Sequence, residues 1–112
     1  MARLFSLLTI ILVGMAIVFP TPAFAADSIN AAKLFEFHCS GCHINGGNIV
    51  RRGKTLKLGA LQKNGFDGVE AIAAIVTNGK ANMSAYSDRL TPAEIEAVSA
   101  YVWEQAQKNW RG

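Results

Sequence analysis

Hydrophobic and polar positions follow two regimes along the 112-residue chain. Leu4 to Phe19 is an apolar run, and from Ser28 onward apolar residues recur at helical spacing. Ser28 is placed to cap a helix reaching about His38, with Ala31, Leu34 and Phe35 on one face at i, i+3, i+4. Ser40 to Lys54 carries Gly41, Gly46, Gly47 and Gly53 with Asn45 and Asn48, which reads as an irregular loop. A second helix fits Thr55 to Lys63, with Leu58 and Leu61 inward and Asn64-Gly65 as its stop. Asp67-Gly68-Val69-Glu70 has the form of a capping box with Asp67 as acceptor. Behind it, Val69, Ile72, Ala73 and Val76 form a stripe that ends at Asn78-Gly79. The last helix has the clearest start: Thr91 as cap, Pro92 in the first turn, Glu94 reaching back. Ile95, Val98, Tyr101 and Val102 then repeat to about Gln107. With no period-two strand and no repeat, the pattern predicts an all-α domain of four short helices and two long Gly/Asn-containing loops.

The first 25 residues belong to a different layer. Met1-Ala2-Arg3 precedes the apolar run, Pro20-Thr21-Pro22 breaks it, and Ala23-Phe24-Ala25 follows. This is the layout of a secretory signal peptide cut after Ala25. The competing reading is an uncleaved anchor, but a run of about 16 residues falls short of the ~20 that span a bilayer. The expected division is therefore a cleaved segment over 1–25 and one domain over 26–112, with no permanent membrane anchor. Removing the segment lowers the hydrophobic share from 51% to about 45%, ordinary for a soluble domain. The net charge of +3 falls by one with Arg3. So weak a charge, with no basic stripe interleaved with aromatics, does not suggest a nucleic-acid binder. A domain this small, with this much loop, has little core and is often helped by a staple or a ligand.

The chemistry lies in Cys39-Ser40-Gly41-Cys42-His43, a C-x-x-C-H sequence of the kind that attaches c-type haem. Two thiols three positions apart can each add to one vinyl group on the same porphyrin edge. His43 then lies under the ring with a nitrogen free for iron. A thioredoxin-like redox pair would need a βαβ setting, and the chain shows none. A zinc site would have to use His38 and His43, both too close to the cysteines for the usual separated ligand pairs. A disulfide would close a very short loop and stabilise little. Met83 is the only methionine left once Met1 and Met15 leave with the leader. It lies in the polar stretch Gly79 to Tyr86 and can serve as the second axial ligand; the alternative for a lone Met is core filler. His38, next to Cys39, is expected on the His43 side. His/Met ligation raises haem potential in electron-transfer cytochromes.

Several segments together resemble the cytochrome c6 family. They are Asp27 with Ala32-Lys33-Leu34-Phe35, the C-x-x-C-H motif, Gly46-Gly47-Asn48, Lys54-Thr55-Leu56, Gly79-Lys80, Met83, Arg89-Leu90-Thr91, Ala100-Tyr101-Val102 and Trp110. The resemblance implies a class I cytochrome c fold, four short helices wrapped around one covalently attached haem c. It implies that the first helix crosses the last through Ala31, Phe35 and Tyr101. It also implies haem propionates near Asn48 and Lys54, and Arg89 as a residue that docks to photosystem I. The implied role is a one-electron carrier, not an enzyme. Its expected donor is the cytochrome bf complex and its acceptor photosystem I or a terminal oxidase. The expected setting is the thylakoid lumen or periplasm, and the expected state a monomer. Arg51, Arg52, Lys54 and Lys57 form a basic cluster that either steers docking or offsets the propionates as a solvated loop.

Two departures from the family pattern bear on function. Ser84 stands where the family often has Pro after the ligand Met, which predicts a less rigid ligand loop. Ile75 and Val76 stand where the main form often has Gln near the haem, which predicts an altered, lower potential and a variant branch. The looser loop keeps a second reading open, a haem sensor or ligand-binding protein with a displaceable Met83. A catalytic haem protein would need a distal acid–base residue, and none surrounds Met83.

Overall fold

In the computed structural model, which describes residues 16–17 and 29–112, five α-helices and one 3₁₀ turn follow one another without a strand among those residues. They are α1 Ala31–His38, α2 Ser40–His43, the 3₁₀ turn Ile44–Gly46, α3 Leu58–Lys63, α4 Val69–Asn78 and α5 Pro92–Gln107. The expected export segment and the expected Ser28 cap lie outside the described residues, apart from 16 and 17. Among the described residues no helix is long and apolar enough to cross a membrane.

Helix α1 is capped by Asn30, whose side-chain oxygen accepts from Lys33 N at 3.1 Å. The stretch read as loop from Ser40 begins instead with α2 and the 3₁₀ turn. Local hydrogen bonds outweigh its Gly content: Ser40 Oγ donates to Glu36 O, and Cys42 N and His43 N both donate to Cys39 O. α3 starts three residues later than its pattern suggested. Lys57 is still extended (ψ 148°), and Leu56 N is drawn away to Gly46 O at 2.8 Å. Asp67 does not cap α4. Gly68 is the N-cap, at φ 127° with no side-chain bond, and the helix ends at Gly79 as expected. α5 matches its prediction closely. Thr91 Oγ1 accepts from Glu94 N at 3.1 Å, and Thr91 N donates to the Glu94 carboxylate at 2.9 Å.

The core is made of Phe35, Leu61, Ile72, Val76, Leu90, Ile95, Val98, Val102 and Ala106, so α4 and α1 both bury a face against α5. Where α1 meets α5, the Phe35 and Tyr101 ring centroids are 5.5 Å apart. Trp110 completes this cluster, 5.2 Å from Phe35 and 6.2 Å from Tyr101. Aromatic pairs of this kind contribute roughly 0.5–1.5 kcal/mol each beyond their buried area. The chain reaches this position by turning back after α5, with Asn109 and Trp110 in the left-handed region and Trp110 N donating to Gln105 O at 2.7 Å. The Trp110 indole N–H then donates to Leu56 O at 2.9 Å and closes over Gly46. Gly46 is required there: its φ is +76°, and a Cβ would overlap the indole.

Candidate functional site

The end of α1 hands over directly to the C-x-x-C-H turn. Cys39 N donates to Phe35 O at 2.8 Å, and Cys39 O accepts from Cys42 N and His43 N at 3.2 and 2.9 Å. This makes Cys39-to-His43 one helical turn, and the i, i+3 spacing sets both thiols on one side of it. Both cysteines are free; Cys39 is partly buried and Cys42 exposed. Loss of solvation pushes the Cys39 thiol up to about 11, so it stays neutral at physiological pH.

His43 is oriented from below. Its Nδ1 lies 2.8 Å from Gly47 O, so Nδ1–H donates to that carbonyl and Nε2 keeps its lone pair. Gly47 is brought under the ring by the kink at Asn45 (φ 53°), with Gly47 N donating to Ile44 O.

A cavity of about 350 Å³ opens beside this turn, a size in the range of cofactor pockets, roughly 300–1,000 Å³. Cys39, Cys42, His43 and Met83 all line it, and Ile72, Ile75, Val76, Val98 and Val102 form much of its apolar wall. Its polar margin includes Asn48, Arg51, Lys54 and Asn64. Two thiols on one turn, an imidazole with a free nitrogen, a thioether, apolar walls and a basic rim are the donor set a c-type haem requires. No group of three or more His, Cys, Asp or Glu converges among the described residues.

Asn48 and Lys54 both reach the cavity but also organise the loop around it. Asn48 Oδ1 accepts from Val50 N and Arg51 N, and Asn48 Nδ2 donates to Lys54 O at 3.0 Å. Lys54 Nζ donates to Asn64 Oδ1 at 2.9 Å. Asn64, expected only as a helix stop, therefore also positions the ammonium.

The Met83 segment is held by its own backbone. Lys80 N and Met83 N each donate to the other's carbonyl at 2.9 Å, with Ala81 at φ 53° between them. Gly79 lies directly beneath the segment at φ 72°, close to the backbone of Met83, Ser84 and Ala85. Tyr86 N donates to Val76 O at 2.8 Å. The missing proline removes one restraint on this segment, and these bonds supply others. Arg89 is not part of the cavity lining; its guanidinium sits 4.7 Å from the Tyr86 ring centroid and 3.8 Å from Asp88. His38, expected on the His43 side alone, lines the cavity and also meets the Tyr86 ring edge-on at 6.0 Å. Tyr86 carried no signal in the sequence, because nothing in residue spacing links it to His38.

Residues 26–102 match the family model described as cytochrome C oxidase, cbb3-type, subunit III. The chain is 61% identical over 90 residues to a cytochrome c6-like protein of Nostoc sp. (strain PCC 7120), covering 80% of this chain and 81% of that one. It is 46% identical, over the full length of both, to the cytochrome c6 of Synechococcus sp. (strain PCC 6312). The crystal structure of cytochrome c6C from Synechococcus sp. PCC 7002 superposes with a TM-score of 0.68 at 63% identity, covering 70% of this chain and 95% of that one. With the cavity and its donor set, these similarities make the chain a member of the cytochrome c6 family, electron carriers with covalently bound haem c rather than enzymes.

Proposed function

We propose that the chain is exported, loses residues 1–25, and works in the lumen or periplasm as a variant of the main photosynthetic carrier. What carries this reading is the convergence of Cys39, Cys42, His43 and Met83 on one cavity with an apolar wall. Haem iron supplies the one-electron chemistry when bound. Cys39 and Cys42 would anchor it through thioethers. His43, its Nδ1–H held by Gly47 O, would present Nε2 to the iron, and Met83 would supply a thioether ligand. Asn48, Lys54 and Arg51 provide the polar margin for the propionates. Ile72, Ile75 and Val76 offer no dipole, which lowers the potential relative to a form carrying a polar group there. The identities of 61% and 63% to c6-like and c6C proteins, against 46% to a c6, favour the variant branch.

The partner surface follows from exposed groups. Ile44, Ile49 and Val50 are exposed apolar residues beside the basic Arg51 and Arg52. Such a face suits an acidic partner with an apolar centre, with Arg89 as a further cation. The expected donor is the cytochrome bf complex, and the expected acceptor photosystem I or a terminal oxidase. The bonds that hold the Met83 segment weigh against a displaceable-ligand sensor.

The test is a redox titration with optical spectra on the matured holoprotein, run beside a main-form cytochrome c6. A His/Met spectrum with a lower midpoint is expected. Equal midpoints would remove the variant assignment, and absence of the far-red methionine–iron band would remove Met83. Mass measurement of the mature chain checks the cut after Ala25, and electron transfer to isolated photosystem I checks the acceptor.

A further inference from the structure

We infer that Tyr86 is a positioning residue for the axial methionine, acting through a hydroxyl clasp between the Met83 segment and the end of α1. The inference rests on the reading of Met83 as the iron ligand. Tyr86 OH donates to His38 O at 3.0 Å, across 48 residues of chain. His38 immediately precedes Cys39, so the clasp joins the ligand segment to the residue beside the first attachment cysteine. The segment needs such a tie. Ala81 holds a left-handed φ of 53° in the tight turn from Lys80 to Met83, a conformation that costs free energy for any residue with a Cβ. Ser84 follows the ligand, so no proline ring limits the backbone there. On the far side of Met83, Tyr86 N is fixed to Val76 O, and Tyr86 O accepts from Arg89 N and Leu90 N. The tyrosine backbone is thus anchored to α4 and its hydroxyl to α1. Met83 is confined between the Lys80 pairing and this anchor. The Arg89 guanidinium over the ring covers the tyrosine from outside.

The bond is a single neutral one, so removing the hydroxyl should loosen the ligand without undoing the fold. Tyr86→Phe keeps the ring against His38 and Arg89 and deletes only the donor. The experiment uses the ferric holoprotein of wild type, Tyr86→Phe and Met83→Ala. It follows the far-red methionine–iron band on titration with imidazole and on heating, with helix content recorded in parallel. Imidazole should displace the methionine roughly three- to tenfold more readily in Tyr86→Phe, the range set by one neutral hydrogen bond. The band should also fade on heating well before helix content falls. Helix loss and band loss moving together in Tyr86→Phe, or an unchanged imidazole titration, would overturn the clasp. A band that persists in Met83→Ala would overturn the ligand assignment itself, which keeps the two failures apart.

Discussion

Replacing Gly79 by alanine should unseat the Met83 segment, and the size of the effect can be worked from the geometry. Gly79 sits at φ 72°, ψ 172°, a region open almost solely to glycine. Occupying it with a Cβ costs of order 1–3 kcal/mol. The added carbon would also lie 2.7 Å from Ala85 N, 2.8 Å from Met83 O and 2.9 Å from Ser84 C. All three are backbone atoms, so no rotamer change relieves the overlap and the segment itself must move. Overpacking of this kind adds typically 1–3 kcal/mol, for a total of about 2–6 kcal/mol. At roughly 4–8 °C per kcal/mol for a domain this size, Tm should fall by at least about 8 °C. The assay is thermal unfolding of the ferric holoprotein by far-UV circular dichroism, with the methionine–iron band measured before heating. Gly65→Ala is the control, since Gly65 also has a positive φ of +85° but nothing within 4 Å of the added carbon. It should cost about 1–2 kcal/mol and leave the band intact. A Gly79→Ala protein melting within about 4 °C of wild type with its band unchanged would refute the reasoning.

Other sites give smaller, separable effects. Thr91→Ala removes half of the α5 capping box and should cost about 1 kcal/mol, recovered by Thr91→Ser, both read from Tm. Ser99 is fully buried with an unpartnered hydroxyl, so Ser99→Ala should be neutral or stabilise by about 1 kcal/mol; a clear loss in denaturant titration would mean that the hydroxyl has a bound partner. The Cys39 thiol, raised from 9.0 to about 11 by burial, favours the folded haem-free chain only while neutral. That contribution is complete below pH 9 and lost as pH rises through 11. In a Cys42→Ala haem-free chain, stability should therefore fall across this window, and an additional Cys39→Ala change should abolish the fall.

What could be read from the sequence divides by range. The capping box at Thr91-Pro92-Glu94, the stripe Ile72-Val76 and the C-x-x-C-H turn are short-range patterns, and each sits in the fold as its spacing implies. Short-range reading failed where a distant group competed for the backbone. Leu56 N goes to Gly46 O rather than to a helix, which delays α3. Asp67 yields to Gly68, whose φ of 127° only glycine supplies easily. The site behaved likewise. Motif and elimination single out Cys39, Cys42, His43 and Met83 as candidates, and all four line the cavity. The bonds that hold them, from Tyr86 to His38, Trp110 to Leu56 and Lys54 to Asn64, span 48, 54 and 10 residues. No local pattern encodes them.

The small core and the site are one structure. Among the described residues, Phe35, Leu61, Ile72, Val76, Val98 and Val102 belong both to the buried hydrophobic core and to the cavity wall, and Leu90, Ile95 and Ala106 are the core residues away from it. A ligand that covers this wall makes dispersion contacts with it, and its binding free energy adds to folding. On the proposed reading, the same apolar surface offers a bound haem no dipole, which keeps its potential below that of a form with a polar group there. A polar substitution at Ile75 should thus raise the potential and weaken the fold together. Ile75 is only partly buried, so it is the wall position where the first effect can be obtained with least of the second.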